Sequence, residues 1–278
     1  TYFNRKKVNE TKRAYKNNLV QFTVFPSILI GRPVIEFLFL PFAFLLLLLY
    51  SLKYRPLAYH VHNYYLAAFI FPLKYLFGAK LFADLHGVVI EEFLFNKRFK
   101  EKSLSHRYEN VKERLVLSFC DNIFCVSNNM IKFYQNKHQL SKDLFRLTRS
   151  SYDPDIFRDF SYEYKIKCKA DIGFDGSIVM LYMGHKKAWQ ATREVVDLYT
   201  SLKTYLPNLK IIILSNDHIN IESMLVESGI ESTQYFVGFV PHRDVPKYSY
   251  AADVAVIIRH DSIVNHAASP VKVSESLA

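Results

Sequence analysis

At 278 residues, half of them apolar and 15% aromatic, the chain has room for two modest domains and is too hydrophobic to be disordered. Its formal charge of +10 is unevenly spread: residues 1–150 carry 23 Lys and Arg against 10 Asp and Glu, while residues 151–278 carry 13 against 16. That asymmetry fits one domain facing an anionic surface, and no nucleic-acid-binding motif accompanies the basic residues, which argues against a nucleic-acid partner. Cys120, Cys125 and Cys168 form no disulfide or metal-ligand framework and suit a reducing cytosol.

In chain order, residues 3–18 are strongly basic and read as a solvated helix face, and Leu19–Phe25, ending at Pro26, reads as a buried strand. Phe37–Tyr50 (FLFLPFAFLLLLLY) is the most apolar segment, bounded by Glu36 on one side and by Lys53 and Arg55 on the other, with Pro41 interrupting it. It falls short of the roughly 20 residues a bilayer span needs, so it predicts a helix covering the first sheet, with one face free to dip into lipid; a transmembrane helix is the alternative. Strands and helices then alternate, the signature of a parallel α/β sheet. Leu57–His62 reads as a strand, Tyr64–Phe77 as a helix closed by Gly78, and Lys80–Leu85 as a strand running into Asp84-Leu85-His86-Gly87, with Glu91 and Glu92 beyond. Open α/β sheets bind ligands at the carboxyl ends of their strands, which singles out His86, with His60 and His62 in similar places. Lys97–Ser118 reads as a charged helix or helix pair, Asn122–Ser127 as a strand, Asn129–Asn136 as a helix and Phe145–Arg149 as the last strand of the first domain. Asp153 and Asp155 spell a metal-binding DxD, but Pro154 between them favours a turn at a domain junction.

Residues 158–176 are polar and irregular, as in an interdomain linker, which divides the chain into domains 1–157 and 177–278. Ser177–Met183 is a buried strand by composition and runs into Gly184-His185-Lys186-Lys187-Ala188-Trp189-Gln190. A glycine between strand and helix lets the backbone approach a phosphate, and Lys186 or Lys187 supplies charge. The pattern repeats through helix Gln190–Tyr205, strand Lys210–Ser215 ending at Asn216, helix Asn220–Ser228, strand Gln234–Val240 and helix Asp244–Ala251. The run Val254–Ile258 reads as a buried strand ending on Arg259; a polar loop follows, and Ser269-Pro270 opens a last helix. Lys272 stands where a capping box has Glu, and a cation in a first turn opposes the helix dipole. It makes sense if Lys272 and the free backbone N–H groups face an anion such as a phosphate. Glu275, on the same face, could accept two hydroxyl hydrogen bonds, as from a ribose; the alternative is a solvated Lys–Glu pair on a surface helix.

The last eleven residues, ASPVKVSESLA, are similar to the SP-x-K-x-x-E-x-(L/M)-A segment of retaining GT-B glycosyltransferases of the group 1, or family 4, type. In that family the Glu matching Glu275 holds the ribose of a nucleotide sugar, and an earlier Glu, here replaced by Ala267, contacts the donor sugar. Asp84–Gly87 resembles the family's D-x-H-G turn, which implies His86 at the transferred sugar and Gly87, Glu91 and Glu92 toward the acceptor. Gly184–Gln190 resembles the G-x-x-x-x-W-Q form of the diphosphate loop, with His185 in the place of the usual Arg. NIFCVS at 122–127 and the Asp153–Phe157 turn also match, and Val237–Val240 resembles the F-x-G-x-V whose backbone reads the nucleobase, which implicates Val240. The implied fold is α/β, GT-B, with two Rossmann-like domains whose parallel sheets face across a cleft, the acceptor in the first and the nucleotide sugar in the second. The implied activity is a hexosyl transfer from a nucleoside diphosphate sugar to a hydroxyl, with retention, in cell-surface polysaccharide or glycolipid synthesis. Lys187, Arg259 and Lys272 would hold the departing diphosphate, with Gln190, Asn216 and Ser269 as polar lining and neither metal nor cofactor required. The expected partners are the nucleotide-sugar donor, a lipid-linked or glycan acceptor and an anionic membrane surface, on the cytoplasmic side. Ala267 and His185 favour a competing reading, a GT-B pseudoenzyme that binds nucleotide without turnover; a sugar-nucleotide epimerase competes within the enzymes. Members of the family have a strand before residue 1 and further elements after Ala278, so the chain reads as an internal fragment.

Overall fold

The computed structural model describes residues 33–98, 100–157, 161–184 and 191–277, with side chains from Pro41 onward apart from those of 65, 66 and 69. The expected basic face at 3–18 and strand Leu19–Phe25 lie outside the described residues. The first half runs α1 (Pro33–Tyr54), β1 (Ala58–His62), α2 (Tyr64–Phe77), β2 (Lys80–Leu85), α3 (Val89–Phe95), α4 (Leu104–Ser118), β3 (Asn122–Cys125), α5 (Asn128–His138) and β4 (Phe145–Leu147). The second runs α6 (Tyr162–Asp171), β5 (Ile178–Gly184), α7 (Thr192–Lys203), β6 (Leu209–Ser215), α8 (His218–Glu227), β7 (Tyr235–Gly238), α9 (Val245–Ala251), β8 (Val254–Val256), α10 (Ile263–Ala267) and α11 (Val271–Leu277). Each half builds a four-stranded parallel sheet, ordered β1-β2-β3-β4 in the first and β7-β6-β5-β8 in the second.

The two central strands of the second sheet are apolar on both faces because helices cover both. Met180, Tyr182, Ile211 and Ile213 point to one side, where they pack with Val195, Val196 and Tyr199 of α7 and with Ile221 and Leu225 of α8. Val179, Leu181, Ile212 and Leu214 point to the other, against Cys168 of α6 and Tyr250 and Ala251 of α9. This two-residue alternation is that of a doubly covered sheet. β8 departs from the expected buried strand: it lies at a sheet edge, is three residues long, and leaves Val254 54% exposed.

Both sheets are pinned by the same device. Asp121, just before β3, donates its N–H to Leu81 O and accepts the Leu81 N–H on its carboxylate, each at 2.8 Å. Asp253, just before β8, does the same with Val179, also at 2.8 Å both ways. Two lysines flank each carboxylate: Lys74 at 2.9 Å and Lys80 at 3.1 Å on Asp121, and Lys165 at 2.7 Å and Lys169 at 2.6 Å on Asp253.

Three segments differ from expectation. The apolar run predicts α1, but the helix continues past it at both ends, through Pro33–Glu36 and Ser51–Tyr54. Its Leu47 packs on the first core, and buried Ser51 donates to Leu47 O and accepts from Tyr59 OH. Phe42, Leu45, Leu49 and Leu52 form a stripe on the opposite side, each more than half exposed. Among the described residues no helix is long and apolar enough to cross a membrane. The expected linker contains α6, because the Ser161 hydroxyl caps the Tyr164 N–H and Cys168 and Phe174 enter the second core. One apolar row in a polar sequence made this helix look like a connection. The expected polar loop before Ser269 contains α10, capped by Ser262, whose Val264 and Ala267 are buried in the core of the first half.

Candidate active site

At the carboxyl end of the second sheet, β5 stops at Gly184, beside Ser215 of β6 in the parallel register. A Cβ at Gly184 would lie 2.6 Å from the buried Tyr182 ring, so the strand end admits no larger residue without a shift. Lys272, in the first turn of the last helical segment, reaches back to donate to Met183 O at 2.7 Å, which places its ammonium against this strand end. Glu275 is buried, not exposed as in a surface pair, and its carboxylate sits 2.9 Å from His242 Nε2 on the segment after β7. Ser269 O accepts from Ser150 Oγ at 2.7 Å, and Ser274 Oγ donates to Ser150 O at 3.1 Å, so residue 150 of the first half steadies the start of α11 from two sides. Asn216 is exposed just past β6, and Val240 lies beyond the end of β7, half-buried against the second core. Lys186, Lys187 and Gln190 lie outside the described residues.

Arg259 follows β8, and its Nη1 lies 3.4 Å from Asn265 Oδ1. Its Nε is buried with no hydrogen-bond partner among the described residues. Burial lowers the guanidinium pKa, which the neighbouring Tyr182 opposes; it stays charged at neutral pH. Burial also raises the Cys120 and Cys125 thiols to about 12, which rules out either as a thiolate nucleophile near neutrality.

The carboxyl end of the first sheet carries a second cluster. Parallel pairing sets His62 of β1 beside Asp84 of β2, and alternation puts His60 and His86 on the same face. His86 Nε2 lies 3.2 Å from Asp84 Oδ2 and 3.1 Å from His62 Nδ1, and the His62 and His86 rings stack at 5.3 Å. His62, Asp84 and His86 bring three potential ligand atoms within 4.8 Å of one another. The sequence signal was two x-spaced pairs, His60-x-His62 and Asp84-x-His86, but only the strand register joins them.

Of the expected acceptor residues, Gly87 lies against the Glu92 carboxylate, which a Cβ there would displace. Glu91 is tied inward: Lys137 bridges it at 3.0 Å to the buried Glu113 at 2.9 Å, which also meets His138 Nε2 at 2.7 Å. Buried Tyr134 donates to Gly87 O at 3.3 Å and lies 3.4 Å from Glu113, so it connects the turn after β2 to that network.

The halves meet at α10. Ser127 Oγ, which caps α5, also donates to Ala267 O at 2.6 Å, and Asn129 Nδ2 donates to His266 O at 3.2 Å. Ala267 is fully buried in the first core. This accounts for the alanine where the resembling family carries a glutamate: a carboxylate here would enter an apolar cluster.

No protein-family model matches the sequence, and no curated protein matches it. Solved structures do match. Sucrose-phosphate synthase from Thermosynechococcus elongatus superposes with a TM-score of 0.60 at 16% identity over 86% of this chain and 58% of that one. HepE of Anabaena in complex with UDP-glucose superposes with a TM-score of 0.52 at 12% identity over 72% of this chain and 53% of its own. The fold is the GT-B fold of glycosyltransferases. WaaG, a glycosyltransferase involved in lipopolysaccharide biosynthesis, shares it with a TM-score of 0.56 at 12% identity, over 76% of this chain and 60% of that one. The chain thus spans less than two thirds of each of these GT-B structures.

Proposed function

We propose that the chain is the two-domain core of a glycosyltransferase that moves a hexosyl group from a nucleoside diphosphate sugar to a hydroxyl acceptor, with retention, as in family 4. The observation that carries this reading is Glu275, a carboxylate held buried one helical turn behind Lys272, whose ammonium lies at the Gly184 end of β5. A ribose diol can satisfy such a carboxylate, and the diphosphate then falls next to Lys272 and the glycine-ended strand. Lys272 and Arg259 would stabilise the charge that develops on the departing diphosphate, with Lys186 or Lys187 adding to it. His86, at the end of the first sheet, would act on the transferred sugar. HepE, of the same fold, is known with UDP-glucose bound, which supports a nucleotide-sugar donor. Calorimetric titration with UDP, GDP and their sugars tests this: one should bind in the micromolar range, and absence of binding by all would remove the reading.

Ala267 favours a second reading, a protein that binds nucleotide without turnover, since its buried methyl offers no carboxylate to the donor sugar. Turnover of the tightest-binding nucleotide sugar, with and without candidate acceptors, separates the two.

The excess of basic residues in 1–150 and the Phe42, Leu45, Leu49 and Leu52 stripe on α1 support a lipid-linked acceptor reached at the cytoplasmic face of an anionic membrane, in surface polysaccharide or glycolipid synthesis. Basic residues near such a leaflet contribute about 1 kcal/mol each and are screened by salt. Sedimentation with anionic but not neutral vesicles, reversed by salt, is the expected result; equal binding to both, or to neither, leaves a soluble acceptor.

A further inference from the structure

Two short sequence pairs that mean little apart converge at one edge of the first sheet. The β1–β2 register makes His62 and Asp84 lateral neighbours, and His86, two residues past Asp84, turns back onto the same face. We propose that His62, Asp84 and His86 form a binding site for a divalent cation of the zinc class.

The triangle of donor atoms has edges of 3.1 Å between His62 Nδ1 and His86 Nε2, 3.2 Å between His86 Nε2 and Asp84 Oδ2, and 3.6 Å between His62 Nδ1 and Asp84 Oδ2. A tetrahedral ion with bonds of about 2.0–2.2 Å spaces its donors roughly 3.3–3.6 Å apart. An ion can therefore sit nearly equidistant from all three, just outside their plane, with only small adjustments of the side chains. Two imidazoles and one carboxylate, with a position left open, is a donor set that zinc takes in open sites, whereas magnesium and calcium favour oxygen alone.

The site is also held in place. The Asp84 side chain is only 15% exposed, and its backbone carbonyl accepts from Asn63 N at 2.9 Å, so the carboxylate stands on a fixed strand. The His60 ring stacks on His62 at 5.4 Å and limits its rotation. The two ring nitrogens and the carboxylate oxygen lie within 4.8 Å of one another. A bound cation satisfies all three lone pairs at once. The His62 and His86 side chains are more than half exposed, so the fourth position opens to water or to an oxygen of a bound ligand.

The site shares His86 with the sugar-transfer reading but lies on the first sheet, apart from Gly184 and Lys272 at the end of the second, so zinc binding is read without reference to transfer. The test is calorimetric titration of the chelator-stripped chain with zinc chloride, alongside cobalt chloride read by its visible absorption. One ion per chain is expected, with bands of a low-coordinate cobalt site and no displacement by millimolar magnesium. Affinity should fall roughly tenfold or more in His62→Ala and in Asp84→Asn, and stay unchanged in His266→Ala, whose ring pairs with Asp261 elsewhere. His62 is an exposed residue, so its variant should fold, and unchanged far-UV circular dichroism checks this. UDP binding, measured in parallel, should be the same in His62→Ala and wild type. Absence of zinc binding, equal affinity in His62→Ala, or displacement by magnesium would each overturn the proposal.

Discussion

Ala267→Glu would restore the glutamate of the resembling family, and the structure gives a definite outcome for it. The Ala267 side chain is fully buried beside Val264 in the core of the first half, with its carbonyl held by Ser127 Oγ. An ionised carboxylate would lose its hydration in that apolar cluster, so the chain would instead protonate it. Raising a glutamate from about 4.3 to beyond 7 costs about 1.4 kcal/mol per unit, or roughly 3–4 kcal/mol at pH 7. Overfilling the site adds about 1–3 kcal/mol at any pH. The sign follows from linkage: a carboxyl whose folded pKa is raised is destabilising above its unfolded pKa, so the penalty grows with pH from about 4.3 upward and disappears below it. Urea denaturation followed by far-UV circular dichroism at pH 4.5 and pH 7 measures this, with Ala267→Gln as the pH-independent control. The reasoning fails if Ala267→Glu matches Ala267→Gln at both pH values, and fails more sharply if it binds a nucleotide sugar more tightly than wild type. Either result would mean that the side chain faces the donor and that α10 does not dock as described.

Burial raises the Asp121 carboxyl, but the Leu81 N–H and the Lys74 and Lys80 ammonium groups outweigh it and hold the pKa at about 2. Asp121→Asn should therefore cost about 1–2 kcal/mol after screening, fully present above pH 4 and lost as pH falls toward 2; a penalty constant down to pH 3 would show that charge is not the cause. Gly184→Ala should lose about 1–3 kcal/mol because its methyl meets the Tyr182 ring, and Tyr182→Leu in the same chain should recover part of it; an unchanged melting temperature for the single variant would contradict the close approach. Glu275→Gln should weaken nucleotide-sugar binding about ten- to a hundred-fold with the circular dichroism unchanged, and calorimetry giving equal affinities would remove Glu275 from the site.

Much of the fold was legible because its signals are local. Helix Tyr64–Phe77 carries its own stop, Gly78 in the left-handed region at φ 62° with its N–H on Lys74 O, and strand Lys80–Leu85 carries its own period. The parallel character of both sheets followed from the alternation of strand and helix. The last helix begins at Val271, just past the expected Ser269-Pro270 opening; the Lys272–Glu275 spacing was readable within one turn of chain, although the strand end that Lys272 meets was not. Where the inner face was a single apolar row, as in α6 and α10, the sequence read as linker or loop, because what makes those helices is a core supplied by distant residues. Ala267 reads from sequence as a missing functional group; packing shows it as a docking residue. By itself, then, the sequence determined the class of fold, most strands and helices, and which strand ends are polar, since each depends on neighbours within a few residues. Tertiary structure alone decided that His62 meets Asp84 and His86, that Glu91 turns inward to Lys137, and that α10 clasps the opposite half. Those contacts are set by strand register and by burial across large sequence separations, which no local pattern encodes.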